Sequence, residues 1–337
     1  MTRIVRAVAL SAVTLAVVVA SLTGCGAAHT VLGIHEPPKA NPAAPALTVA
    51  RADAILTGAF AAAYQGDRTT GAVARAAQRT AYTAAGLRAV GARVKLAGGL
   101  PTAGSPPYPR PSKPRLLALS RGLGYPRVIV AETVTAVSGL PILHLLTSPD
   151  PATPYRISAS VTMLSQSSVK AFDALSQGSP MVTDGRGLAV APTVMLTGYA
   201  AGMAFPARAL TNPPFVADSF SAQLRTRAAR VARAVAAQAT FSQVHRLVPG
   251  SVYAVRQASG DGLAFGVIER TDSFAVKSGQ AINTVADKDF VLMSGKKRVT
   301  QRASRTTLEF IAFTVPLSRG QATLVAASEQ IVAGSGS

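Results

Sequence analysis

The sequence predicts an α+β chain of two tandem domains, each with helices packed on a curved antiparallel sheet. Three observations carry this. Apolar residues recur at helical spacing from Thr48 and again from Leu196; each of these stretches is followed by runs that alternate or pair as strands; and residues 176–192 between them are rich in Gly, Ser and Pro. The expected layout is a leader over 1–24, a Pro/Ala-rich tether over 25–47, a first domain over 48–175 and a second over 190–333. About 313 residues remain after residue 24, more than one core usually serves, which also favours two domains.

Taken in order, Thr2-Arg3-Ile4-Val5-Arg6 is a short positive segment, and Ala7–Ser21 is an uncharged apolar run of 15 residues. A bilayer span needs about 20 residues, so the run has the shape of an export signal rather than an anchor. It closes on Leu22-Thr23-Gly24-Cys25, which holds the only cysteine of the chain. That tetrapeptide resembles the lipobox of bacterial lipoproteins. The resemblance implies export, cleavage before Cys25 and an S-diacylglycerol on its thiol, with or without a further N-acyl chain; the thiol is then spent on a thioether. It places the protein at the outer face of the cell membrane, held by lipid. Residues 26–47 hold Pro37, Pro38, Pro42 and Pro45 without periodicity, a tether whose twenty-odd residues reach roughly 60 Å at about 3.1 Å each.

Val49, Ala52, Leu56, Ala59, Phe60 and Ala63 make one apolar helical face, and the Ala-rich stretch from Thr70 to about Val90 predicts a second helix. Six prolines in 98–114 predict a loop. Arg127–Ala136 and Leu140–Thr147 flank Ser138-Gly139 as a hairpin, and Tyr155–Leu164 alternates as a half-buried strand. In the second half, Leu196-Thr197-Gly198 echoes Leu56-Thr57-Gly58. Asp218 or Ser219 caps a helix running to Ala239, with Phe220, Leu224, Ala228, Val231 and Val235 on one arc and Arg225, Arg227, Arg230 and Arg233 pointing away from it. Val252–Gln257 and Leu263–Thr271 make a hairpin across Ser259-Gly260-Asp261-Gly262; Phe274–Val276, Lys288–Met293, Thr307–Val315 and Ala322–Val332 read as strands, and Gly334–Ser337 as a loose end.

The repeated order of helices and then strands resembles nuclear-transport-factor-two-like and ketosteroid-isomerase-like cones. With the lipobox and tether it also resembles an uncharacterised class of actinobacterial lipoproteins built from two such halves, and the Ala- and Arg-rich usage resembles high-GC actinobacteria. No residue motif defines these folds, so the resemblance carries over no catalytic residue.

Charge and composition bound the function. Lys and Arg number 34 against 15 Asp and Glu, a balance of +19, or +17 without Arg3 and Arg6. Such a field attracts anions. Outside the cytoplasm that means anionic lipid or acidic wall polymer and not nucleic acid, with solvated surface charge as the plain alternative. Arg225, Arg227, Arg230, Arg233 and the cluster Lys296, Lys297, Arg298 are the candidate contacts. Trp is absent and aromatics make 5% of the chain, which speaks against a sugar-stacking face.

Four histidines, at 29, 35, 144 and 245, give no pair at helical spacing and no metal or triad pattern, so no catalytic, cofactor or metal residue is assigned. His144 and His245 read as packing or exposed residues. Ser167-x-x-Lys170 with Lys277-Ser278-Gly279 lacks the intervening Ser-x-Asn of penicillin-binding acyl-transferases, and Ser294-x-x-Lys297 repeats the first pattern by chance. Gly260-x-Gly262 lacks a third glycine and lies between strands, so it is a turn and no phosphate cradle. The function expected is therefore a non-catalytic binding or scaffolding lipoprotein. The alternative is an isomerase-shaped enzyme or carrier for an apolar molecule, for which Asp53, Tyr64, Tyr82 and Asp173 are the acid–base groups available.

Overall fold

Helices lead and antiparallel strands follow, in both halves of the chain. The structure, a computed structural model, describes residues 43–69, 71–97, 113–134, 139–207 and 210–337. The signal run, Cys25 and nearly all of the tether lie outside the described residues, as do most of the proline-rich 98–114 loop and Ser138 of the first hairpin.

In the first half α1 (Val49–Arg68), α2 (Gly71–Ala81) and α3 (Ala84–Leu96) precede a sheet of β1 (Arg115–Leu119), β2 (Arg127–Val134), β3 (Pro141–Ser148) and β4 (Arg156–Thr162). The sheet order is β1-β2-β3-β4, all antiparallel. Thr48 caps α1 by accepting from Arg51 N. The α1 face lands as its periodicity requires, with Ala52, Leu56, Ala59 and Ala63 buried against Leu119, Ile129, Leu146 and Ile157.

The Thr70–Val90 stretch is two helices instead of one. The break falls at Tyr82-Thr83, where Thr83 N donates to Ile157 O, so a bond to β4 replaces helix continuity. Gly86 follows on α3, and a Cβ there would sit 2.8 Å from Ile157 O. Only a glycine lets the helix backbone come this close to the strand.

In the second half α4 (Pro192–Gly202) and α5 (Ser219–Val235) precede β5 (Ala239–Leu247), β6 (Tyr253–Arg256), β7 (Gly262–Val276), β10 (Arg302–Val315) and β11 (Thr323–Gly336), with order β11-β10-β7-β5 and β6 also on β7. Between β7 and β10 lie β8 (Ile282–Asn283), α6 (Lys288–Ser294) and β9 (Arg298–Val299). Asp218 is the α5 cap, its carboxylate accepting from Ser221 N at 2.7 Å.

Four local expectations are corrected. Lys288–Met293 is helical, because Asp287 accepts from Phe290 N and Gly295, at φ 71°, closes the single long turn that buries Phe290. The α5 helix stops at Val235, and Ala239 opens a strand in which His245 is embedded. Phe274–Val276 continues β7, which pairs with β10 from Arg302↔Ala275 to Val315↔Gly262. Gly334–Ser337 is tied down: β11 pairs with β10 to Gly336, and Ser337 N donates to Arg302 O.

Asn41–Ser337 makes one compact unit. Val130, Leu143, Leu145 and Val161 of the first sheet share a core with Phe265, Leu308 and Phe310 of the second. The other face of the second sheet packs Ile268, Ile311 and Phe313 under Met195, Leu196, Tyr199 and Leu224 from α4 and α5.

Candidate functional site

Along that helix-covered face the sheet changes from apolar to ionic. Alternation carries Ala264 and Ile268 of β7 on to Arg270 and Asp272, and Phe313 and Ile311 of β10 back to Glu309, Thr307 and Arg305. The registers His245↔Arg270, Gln243↔Asp272 and Glu309↔Glu329 bring β5 and β11 onto the same patch. Arg270, Asp272, His245 and Gln243 are all buried, and Glu309 is 0% exposed.

These groups pair with one another. Arg270 Nη1 lies 2.9 Å from Glu309 Oε1 and pairs with Glu329; its Nε lies 3.4 Å from Asp272 Oδ1 and its Nη2 3.2 Å from Thr307 Oγ1. Arg305 holds Asp272 at 3.1 Å and Asp287 at 3.2 Å, and Arg227 reaches down from α5 to Glu329 at 2.6 Å. Gln243 Nε2 donates to Asp272 Oδ1 at 2.7 Å, which turns Gln243 Oε1 toward His245 Nε2 at 3.0 Å. The other ring nitrogen, Nδ1, faces Glu309 Oε2 at 3.0 Å. Both ring nitrogens of His245 thus face side-chain oxygens of the cluster. Around the ring three arginines (Arg227, Arg270, Arg305) meet four carboxylates (Asp272, Asp287, Glu309, Glu329).

Burial works against the Arg270 charge, but the carboxylates of Glu309, Asp272 and Glu329 outweigh it and hold its guanidinium above the ordinary value. Burial alone would raise Glu329; Arg270 and Arg227 prevail and keep its carboxyl below the usual range. Beside the cluster, Tyr199 Oη lies 3.1 Å from both Asp218 carboxylate oxygens. Burial first, then the Asp218 charge, pushes that phenol upward, so its proton stays on.

Chemically this is a carboxylate beside an imidazole and near a phenol, the inventory of an acid–base site. The Glu309 oxygens and both His245 ring nitrogens are nevertheless engaged inside the cluster, although the buried Arg270 Nε has no hydrogen-bond partner. The described residues line cavities of about 650, 530, 360 and 250 Å³, and none of the four is lined by His245, Arg270, Glu309 or Tyr199. Among the described residues no group of three or more His, Cys, Asp or Glu could hold a metal ion, and no helix is long and apolar enough to cross a membrane.

The residues singled out from sequence are dispersed. Arg225 is half-buried on α5, Arg230 and Arg233 are exposed, and Arg227 is taken up by Glu329. Lys296, Lys297 and Arg298 are exposed beyond α6. Asp53 is exposed on α1, Tyr64 Oη accepts from Arg68 at 2.7 Å, Tyr82 stands at the α2–α3 break, and Asp173 pairs with Arg121 at 2.8 Å. The chain does not bring these four acid–base groups together. Ser167 Oγ lies 2.7 Å from the Leu164 and Val325 carbonyls, and Lys170 is 2.5 Å from Asp261, so neither faces the other as nucleophile and base.

His144 is a packing residue, as expected: it is fully buried, with ring nitrogens 2.8 Å from Thr133 Oγ1 and Ser160 Oγ, and Phe60 set edge-on at 4.7 Å. Burial lowers it to about 3. His245 is neither simple packing nor exposed; it belongs to the ionic cluster. One signal for that cluster was present in the sequence, because Glu309 stands alone in the apolar run Leu308–Phe313, where a charge demands a partner. No family model, curated protein or solved structure matches the chain.

Proposed function

We propose that this is an exported lipoprotein, held at the extracytoplasmic face of the membrane through Cys25, whose folded part is a binding or scaffolding module made of two cone-like helix-on-sheet halves. The lipobox context of Leu22–Cys25 supports the location. The observation that carries the non-catalytic reading is the closed pairing of the ionic cluster. A general base needs a lone pair directed at a substrate, and the Glu309 oxygens are directed at Arg270 and His245. A buried pair of this kind favours a specific sheet register over turnover.

Fractionation of cells expressing the full chain tests the reading. Wild-type protein is expected in the membrane fraction, degraded by protease added to spheroplasts, while Cys25→Ala moves it to the soluble exported or precursor pool. Wild-type protein in the cytosol, or full membrane retention of Cys25→Ala, would overturn the anchor. Recovery of catalysis that falls with Glu309→Gln in a correctly folded chain would overturn the binding reading.

A further inference from the structure

The end of the second sheet where β5 and β10 begin and β7 and β11 finish is cationic and open. Lys277 follows β7, with Nζ 2.6 Å from Ala236 O. Arg302 opens β10 opposite Ala275, and Lys296, Lys297 and Arg298 arrive through the α6–β9 connection, with Lys296 packed beside Gly336. All five are exposed, and among the described residues none has a carboxylate within ion-pair distance. The neighbouring Asp287 is taken by Arg305.

Arg302 lines a groove of about 650 Å³, within the usual size of ligand sites, and Lys277 and Lys296 stand near its lining residues Ala275 and Gly336. Its floor is the sheet face opposite the ionic cluster. The register Ser242↔Ser273↔Ser304↔Ser335 lays four hydroxyls in one row across four strands, about 14 Å at the ordinary strand spacing, with Arg302 beside them. Phe241 and Phe274, ring centroids 5.0 Å apart and tilted, also line the groove, so apolar surface flanks the serine row.

We propose that this end of the sheet docks on the membrane that anchors the chain, and that the groove takes a polyol-bearing anionic phospholipid headgroup. Phosphate oxygens accept from Arg302 and the flanking lysines, and headgroup hydroxyls exchange hydrogen bonds with the serine row. Charge complementarity argues for this occupant, and so does reach. A chain of 18 residues, the number from Cys25 to position 42, reaches roughly 55 Å when extended at about 3.1 Å each. The α5 arginines are the weaker contact, because Arg227 is already neutralised by Glu329. The inference rests on the membrane-surface reading for its location alone.

The test is lysine footprinting of the full chain in nanodiscs, which reads each lysine by mass. Replacing about a third of the phosphatidylcholine with phosphatidylglycerol is expected to slow modification of Lys296 and Lys297 at least fivefold and to leave Lys170 unchanged. Arg302→Ala, and independently the groove-filling Ser304→Leu, are expected to abolish the slowing; near-ultraviolet circular dichroism confirms that both variants are folded. Unchanged rates, or slowing that survives both variants, overturn the docking site. Equal slowing by phosphatidylserine at the same surface charge overturns the polyol preference, and equal slowing by soluble glycerol phosphate in neutral discs overturns the membrane source. A chain that fails to stay in neutral discs reports on the anchor instead, so the two failures are distinguishable.

Discussion

His245 Nδ1 and Glu309 Oε2 are 3.0 Å apart with both side chains fully withdrawn from solvent. The two residues are 64 positions apart on strands that do not touch, β7 lying between them. Their contact therefore depends on the register of three strands at once. Because Gln243 closes the far side of the ring, long-range ¹H–¹⁵N spectra are expected to show a single, slowly exchanging set of His245 ring signals in the folded chain. A ring in fast exchange with solvent would refute the contact.

Glu309→Ala leaves Arg270 charged in the sheet interior, beside His245, with one carboxylate fewer. Losing one partner of a buried ion pair costs about 3–5 kcal/mol. Urea unfolding is expected to lose that much, and Arg270→Met combined with Glu309→Leu to recover part of it, since a matched apolar pair leaves no orphan charge. Equal losses in the single and double variants would count against the coupling.

The pH dependence has a definite sign. His144 is lowered from 6.5 to about 3 by burial, so below 6.5 the unfolded chain takes up a proton that the folded one refuses. Stability falls as pH drops from 6.5 toward 3, by on the order of 5 kcal/mol at about 1.4 kcal/mol per pH unit. Glu329, held low by Arg270 and Arg227, adds to the loss at the acid end as it protonates. Unfolding free energies measured from pH 7 to 4 for wild type and His144→Gln are expected to diverge, the variant showing the shallower slope.

Gly86→Ala places a methyl 2.8 Å from Ile157 O. The strand carbonyl cannot yield without disturbing β3–β4 pairing, so a loss of about 1–3 kcal/mol is expected despite the better helix propensity of alanine. A neutral or stabilising result would mean that α3 does not approach β4 as closely as described.

Asp218→Ala removes the α5 cap and the acceptor for Tyr199 Oη. The cap alone is worth about 1 kcal/mol, and a buried hydroxyl without a partner about as much again. Asp218→Asn retains both acceptor roles and is expected to cost less than half as much in thermal unfolding.

Much of this architecture could be read from side-chain periodicity. The α1 face, the Asp218 cap, the β6–β7 turn and the β2–β3 pair follow from local patterns that tertiary structure respected. Misreadings arose where a local pattern gave way to contacts from afar. Lys288–Met293 is apolar enough for a strand, but its cap at Asp287 and the burial of Phe290 make it a helix. The α2–α3 break depends on Ile157, about 75 residues later in the chain, and β1 follows prolines that hid its start. The ionic cluster draws residues from four strands and one helix, so no motif spacing records it; only Glu309, stranded among apolar neighbours, hinted at it. The cationic end was visible as Lys296–Arg298, but Arg302 and the serine row are aligned by register alone.

Anchoring through Cys25 is tested most directly by the mass of the N-terminal peptide from protein purified out of its native membrane. A peptide that begins at Cys25 and carries a diacylglyceryl thioether is the predicted result. A chain that begins elsewhere, or an unmodified Cys25 thiol, would contradict the lipid-anchored reading.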